Sequence, residues 1–492
     1  MKKIRKVLLV TPPYHCGMVE SAGVWMPLGL AYLAGSLRAA GFEPEIYDAM
    51  SLFHGEEEIR ARLRAAAPDV VATTCYTATS NAAADVLAMA REEIPGVVTV
   101  TGGVHPTHMA ASMLADPAVD YVVRGEGEET LPELLECLNS WESPSSVKGL
   151  SFKGDGGVAI HTLGRPLIHD LDRLPVAWDL IDWPIYHYRT KPGSRLAIAS
   201  WARGCIHACN FCSQQKLWHR SWRPRPIESI VREARFLKET YGVDTLEVAD
   251  EYPTLDRSRW ETILDRLIEE DLGIELLVET RAADIVRDED FLWKYREAGI
   301  LHMYVGVESI SQERLDWIGK KLRVEDSRRA ISLLNDCGII TETSFLLGFP
   351  EDTPETVAAT VALSHEYAPD LAFFLAVTPW PYSDMYPLVA DRVEEHDFSR
   401  YNLINPIIRP DAMSREELSG LLSRAFMEFY GSKMKNLGGL PQHKREYMMK
   451  VARLLMSDSY LADEVRKTMG HSHAHGAPHG HAQRKVIPGV AA

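Results

Sequence analysis

Hydrophobic and polar positions over the first 140 residues follow two alternating periods. Short apolar runs at 6–13, 43–49, 70–76, 97–103 and 119–125 are separated by segments with apolar residues at three- and four-residue spacing, at 28–41, 56–69, 82–96 and 109–118, with a last one at 129–138. Short runs rich in Val suit buried strands, and the longer periodic segments suit amphipathic helices. Five strands alternating with helices predict a doubly wound parallel sheet of the flavodoxin or Rossmann type, for which we expect the strand order 2-1-3-4-5. Residues 141–194 break the pattern. They are rich in Gly, Pro, Ser and Asp, with a hairpin expected at 149–161 around Gly154-Asp155-Gly156-Gly157 and a connector at 171–183.

From 195 to 385 the alternation resumes. Six strand–helix repeats predict a partial (β/α)6 barrel, open on one side, with its active site at the carboxyl ends of the strands. Residues 386–470 read as a helical region able to lid that opening. There Ser414 followed by Glu417 has the spacing of a capping box. The chain ends at 471–492 in a tail where His471, His473, His475, His479 and His481 alternate with small residues, expected to be disordered with incidental metal affinity. The division expected is thus 1–140, 141–194, 195–385, 386–470 and 471–492.

Composition narrows the function classes. A formal net charge of −16 over 492 residues argues against a nucleic-acid-binding surface. The basic, then apolar start stops at Pro12-Pro13, too short for a signal peptide, and no apolar run reaches transmembrane length. Cys16, Cys75, Cys137 and Cys337 are scattered without disulfide-like spacing, which points to a reducing cytoplasm.

The remaining three cysteines carry the chemistry. Cys205, Cys209 and Cys212 lie within eight residues, directly after the first barrel strand. Zinc normally takes four ligands, and no second Cys or His pair follows at zinc-finger spacing. A [4Fe–4S] cluster held by three thiolates keeps one iron open to a small molecule. Phe211 sets an aromatic ring beside that opening. The competing readings are a structural zinc site or three unrelated buried thiols.

CxxxCxxC with an aromatic residue before its last Cys resembles the cluster motif of radical S-adenosylmethionine (SAM) enzymes. The resemblance implies that the open iron chelates SAM and that electron transfer to the sulfonium yields methionine and a 5′-deoxyadenosyl radical. It also implies SAM contacts at the barrel strand ends, from Asp250 and Glu251 for the amino group, Arg281 for the carboxylate, Glu308 for hydroxyls or amine, and Gly348 near the adenine. The first domain resembles the cobalamin-binding domain of one radical SAM subgroup, with the glycine pair at Gly102-Gly103 and the hydroxyl strand end at Thr73-Thr74. Cobalamin contacts are expected from the strand-end turns at Pro12, Thr73, Thr74, Gly102, Gly103, Val104, His105, Gly125 and Glu126. The Asp-x-His-x-x-Gly loop that brings a histidine to cobalt elsewhere is absent; His15 and His54 lie outside such a context.

Residues 11–35, 249–254, 378–386 and 396–418 together resemble the anaerobic magnesium-protoporphyrin IX monomethyl ester oxidative cyclase group, as far as about residue 430. That resemblance implies oxygen-independent cyclisation of the porphyrin to protochlorophyllide, with oxygen from water and electrons from a flavodoxin or ferredoxin. The alternatives are a cobalamin-dependent C-methyltransferase acting on a lipid, hopanoid or natural product, and a cofactor carrier with a vestigial cluster.

Overall fold

The computed structural model describes residues 3–16 and 22–457; the His-rich tail lies outside them. Its first sheet holds β1 (Lys6–Thr11), β2 (Glu43–Asp48), β3 (Val70–Thr74), β4 (Val98–Gly102), β5 (Tyr121–Val123), β6 (Leu150–Lys153) and β7 (Ala159–His161). They lie in the order β2-β1-β3-β4-β5-β6-β7. The first five are parallel and follow the expected 2-1-3-4-5 order. The hairpin read at 149–161 is the antiparallel pair β6–β7, and it extends the sheet beyond β5. Val7, Leu8, Leu9 and Val10 of the interior strand β1 are all buried, because helices cover both faces.

The second sheet holds β8 (Leu196–Ala199), β9 (Thr245–Val248), β10 (Glu275–Arg281), β11 (Ile300–Glu308), β12 (Ile340–Leu347) and β13 (Leu371–Ala376), in chain order and parallel throughout. Among the described residues β8 does not pair with β13, so the barrel is partial. Alternation along each strand divides the two faces. Leu246, Val248, Leu276, Val278, Met303 and Val305 join an outer core with Ile230 and Leu237 of helix Ile227–Tyr241 and Trp260, Ile263 and Leu264 of helix Arg257–Glu270. Their neighbours Glu247, Glu279, His302 and Tyr304 face the lumen.

The segment between the sheets ties them together. The Ala177 amide donates to the Ala31 carbonyl in helix Leu28–Ala39, and Gly35 of that helix passes so close to Pro175 that a Cβ would lie 2.0 Å from its carbonyl oxygen. A few residues on, Trp178, Ile181 and Trp183 enter the barrel core.

The chain after the barrel covers two other surfaces. Helix Arg415–Lys435 starts with the predicted capping box: the Ser414 hydroxyl accepts from the Glu417 amide, and the Glu417 carboxylate accepts from the Ser414 amide. It packs Leu418, Leu422, Phe426 and Phe429 against Phe345 and Phe374 at the β12–β13 edge. Helix Gln442–Ser457 closes the barrel floor, where Tyr447, Met448 and Val451 meet Leu196, Leu277, Ile340 and Leu371. No helix among the described residues is long and apolar enough to cross a membrane.

Candidate functional site

The carboxyl edges of the two sheets face one cavity of about 490 Å³. The first sheet contributes Pro12, Thr73, Thr74, Gly102, Gly103, Gly125 and Glu126; the barrel side contributes Arg203, Trp218 and Glu251. Gly103 has φ 114°, and a Cβ there would lie 2.6 Å from the Cys75 carbonyl oxygen, so this turn needs glycine on both counts. Thr73 donates to Thr101 on the neighbouring strand, which fixes the edge from below. Glycine backbone and short hydroxyls leave a shallow cradle, which fits a broad planar ring.

Two of the residues expected in that cradle lie elsewhere. Val104 and His105 are buried and do not line the cavity. His105 Nδ1 meets the Thr77 hydroxyl at 3.2 Å, its ring packs edge-on to Tyr382 and Phe398, and burial pulls its pKa down to about 3. Glu126 reaches the cavity wall, but its carboxylate is held by Arg203 at 2.8 Å, Arg223 at 2.9 Å and the Ile168 amide at 2.7 Å. Burial alone would push that carboxyl up; the two guanidiniums bring it below the usual range. Glu128 holds the other arm of Arg203, whose guanidinium sits 4.9 Å over the Tyr32 ring. These pairs fasten the first sheet to the ribbon formed by Ala202–Arg203 and Arg223–Pro224, whose two strands bracket the cysteine loop.

The cysteine loop itself is fixed by backbone contacts. The Asn210 amide donates to Ile318, its side chain donates to Trp317, and its carbonyl accepts from Met385. Gln215 donates to the Cys209 carbonyl at 3.0 Å. Gly204 has φ 102° and leaves a Cβ no room, with the Ser221 carbonyl oxygen 2.2 Å away. Burial pushes the Cys205 thiol up and the Cys212 thiol up to about 12; Cys209 adds to both rises and Cys205 to that of Cys212. Iron binding relieves that penalty, since the ligand is the thiolate. Among the described residues no three His, Cys, Asp or Glu side chains form a group that could hold a metal ion. Three thiols near enough to affect one another are the donor set that a [4Fe–4S] cluster with one open iron takes. Phe211, beside them, packs partly against the barrel core.

The strand-end residues divide into two groups. Glu251 lines the cavity and accepts from the Gly204 amide at 2.9 Å and the Trp218 indole at 2.6 Å, so it also braces the loop. Glu308 sits at a bulge with φ 62°, unusual for a side-chain-bearing residue, and pairs with Lys320 at 2.7 Å. Arg281 donates to the carbonyls of Lys320 and Lys321. Asp250 is fully enclosed: its carboxylate accepts from the Trp201 amide at 2.7 Å, and burial raises its pKa to about 8. Gly348 allows a close approach, but by Leu418 of the post-barrel helix, whose Cδ2 lies 2.4 Å from where a Cβ would stand. Sequence reasoning gave no role to Lys320, Arg203, Glu128 or Tyr76. Tyr76 is 61 % exposed, into the cavity that encloses it. None of these four belongs to a spaced motif; each was recognisable only once the two edges met.

Comparison with known proteins agrees with this layout. Residues 14–135 match the B12 binding domain family and residues 200–363 the radical SAM superfamily. The chain is 37 % identical over 433 residues to an anaerobic magnesium-protoporphyrin IX monomethyl ester cyclase of Rubrivivax gelatinosus, covering 87 % of this chain and 78 % of that one. It is 30 % identical to an uncharacterized methyltransferase of Pyrococcus horikoshii, covering 87 % and 93 %. Among solved structures, the radical SAM methyltransferase TsrM of Kitasatospora setae, with cobalamin and a [4Fe–4S] cluster bound, has a TM-score of 0.65 at 19 % identity over 85 % of each chain. The cobalamin-dependent radical SAM enzyme OxsB has a TM-score of 0.67 at 16 % identity over 95 % of this chain and 75 % of that one. The chain therefore belongs to the family of cobalamin-dependent radical SAM enzymes that includes the anaerobic magnesium-protoporphyrin IX monomethyl ester cyclases, and its cofactors are a [4Fe–4S] cluster, SAM and cobalamin.

Proposed function

We propose that this enzyme catalyses the anaerobic oxidative cyclisation of magnesium-protoporphyrin IX monomethyl ester. The observation that carries the reading is the likeness to the cyclases, 37 % over 433 residues, which extends past the barrel into the segment before helix Arg415–Lys435. When bound, the cluster with SAM supplies hydrogen-atom abstraction and the corrin supplies one-electron chemistry. Cys205, Cys209 and Cys212 hold the cluster, with Phe211 beside it. Glu251, Arg281, Glu308 and Lys320 surround SAM, while Asp250 acts from behind by fixing the backbone at Trp201. Thr73, Thr74, Gly102, Gly103 and Gly125 cradle the corrin, and Pro12 and Tyr76 flank it. Glu126 acts as the clamp between the two halves of the site. The substrate is a large hydrophobic small molecule, and a flavodoxin or ferredoxin in the cytoplasm supplies the electrons.

Anaerobic incubation of reconstituted protein with SAM and the porphyrin ester, read by mass spectrometry, tests the reading. The expected products are 5′-deoxyadenosine and a cyclised ketone. The 30 % likeness to the Pyrococcus methyltransferase keeps a second reading, C-methylation. Its outcome would be a methylated product with S-adenosylhomocysteine beside 5′-deoxyadenosine.

A further inference from the structure

The barrel lumen carries acids that neither the cluster loop nor the cavity edge uses. Glu247 on β9, Glu279 on β10 and Glu342 on β12 stand on the inward face of their strands. Glu279 pairs in register with Tyr304 of β11, and Tyr304 with Glu342. Glu279 is exposed, yet protein encloses it on all sides; the surface it presents is the lumen. Below it, Glu342 Oε2 lies 3.0 Å from His302 Nε2, close enough to pair but off the hydrogen-bond line. His302 Nδ1 meets the Tyr188 hydroxyl at 3.0 Å, and Tyr188 meets the Tyr447 hydroxyl at 2.5 Å. Above, the Tyr304 hydroxyl contacts Ser344 at 2.5 Å, and Ser344 donates to Glu308. Two short lines of proton-exchanging groups, one at the mouth and one at the floor, thus flank Glu279, which neighbours Tyr304 in register as Tyr304 neighbours Glu342.

A lumen built only to hold an apolar substrate has no use for three enclosed carboxyls, which repel one another. Burial, then Glu247 and Glu251, raise Glu279 to about 8, with Lys320 opposing and Asp250 adding to the rise. Burial, then Glu342, raise Glu247 to about 7, with His302 opposing. Groups that change charge near neutrality suit proton transfer.

We infer that Glu279, backed by Glu247 and the Glu342–His302–Tyr188 line, is the general base that takes the proton released when water adds to the oxidised substrate carbon. This inference rests on the cyclase reading. The carbon first loses a hydrogen atom to the deoxyadenosyl radical and one electron to a one-electron acceptor of the corrinoid class. Water then forms a C–O bond. One of its O–H bonds breaks, the electron pair stays on oxygen, and the proton passes to a Glu279 oxygen. Radical methylation takes its hydrogen as an atom and leaves no such proton, so the base belongs to oxidation.

Single-turnover assays of the reconstituted holoenzyme from pH 6 to 9 test this, with wild type, Glu279→Gln and Glu279→Asp. The carboxylate is the accepting form, so wild-type product formation is expected to rise with pH and level off above about 8. In Glu279→Gln, oxidised product per 5′-deoxyadenosine should fall about a hundredfold and the pH bend should vanish; Glu279→Asp should restore part of both. Infrared titration of the full chain without cofactors should show protonated carboxyl intensity near neutrality, shared with Asp250 and Glu247, that Glu279→Gln lowers by one group's share. A Gln variant that keeps the product ratio and the bend, while wild type makes the cyclised ketone, overturns the base assignment alone. Wild type that makes only methylated product overturns the cyclase reading and the base with it.

Discussion

The mouth and the floor of the barrel are built from the same six strands, and they differ in what they do with polar groups. At the floor, Tyr447, Met448 and Val451 plug the strand starts, and a buried ion pair, Lys444 with Asp370 at 2.6 Å, is completed by Asn335 at 2.7 Å. At the mouth, thiols and a left-handed Glu308 stand at the strand ends, and beside them Glu251 and Arg203 are held by neighbours yet line the cavity. Satisfied polar groups fix a fold; polar groups held in place but open at one side are free for a ligand. The difference explains why the same sheet can lose function at one end and stability at the other.

Substitutions should separate the two ends. The largest effect is expected at the mouth: Cys205→Ala, Cys209→Ala or Cys212→Ala should each abolish reductive SAM cleavage, read as 5′-deoxyadenosine by chromatography. Next, Gly103→Val forces a side chain into a φ 114° turn, 2.6 Å from the Cys75 carbonyl. Cobalamin affinity should fall about tenfold or more, followed by the visible spectrum of bound corrinoid, while cluster content stays at the wild-type level. At the floor, Lys444→Met strands the buried Asp370 carboxylate and should cost about 3–5 kcal/mol in denaturant unfolding, with cluster content per folded chain unchanged. The smallest effect is expected outside both ends, where Ser414→Ala removes one helix cap and should cost about 1 kcal/mol by the same measurement. Loss of SAM cleavage in Lys444→Met at full folding would break the division between mouth and floor.

Much of this was legible in the chain. The period-2 and period-3.6 segments placed both sheets, and the expected strand order of the first is the one seen. The capping box at Ser414 was legible because both of its bonds are local. The cysteine triplet was legible because its ligands are close in sequence. What the pattern missed is non-local. Glu126 reads as a strand-end residue, but its partners Arg203 and Arg223 are 77 and 97 residues away. Asp250 reads as a SAM contact, but its carboxylate serves the backbone at Trp201, 49 residues earlier. Lumen acids such as Glu279 look in sequence like any charge in an alternating strand; only closure of the sheet turns them inward. Gly348 was read as room for adenine, whereas the room is taken by Leu418, on a helix formed 70 residues later.

Three cysteines are expected to leave one iron vacant for SAM at the mouth that faces the corrin cradle. Electron paramagnetic resonance of the anaerobically reconstituted, reduced protein, recorded with and without SAM, tests it most directly. A [4Fe–4S]⁺ signal that shifts when SAM is added is expected. Zinc in place of iron, or a cluster signal indifferent to SAM, would contradict it.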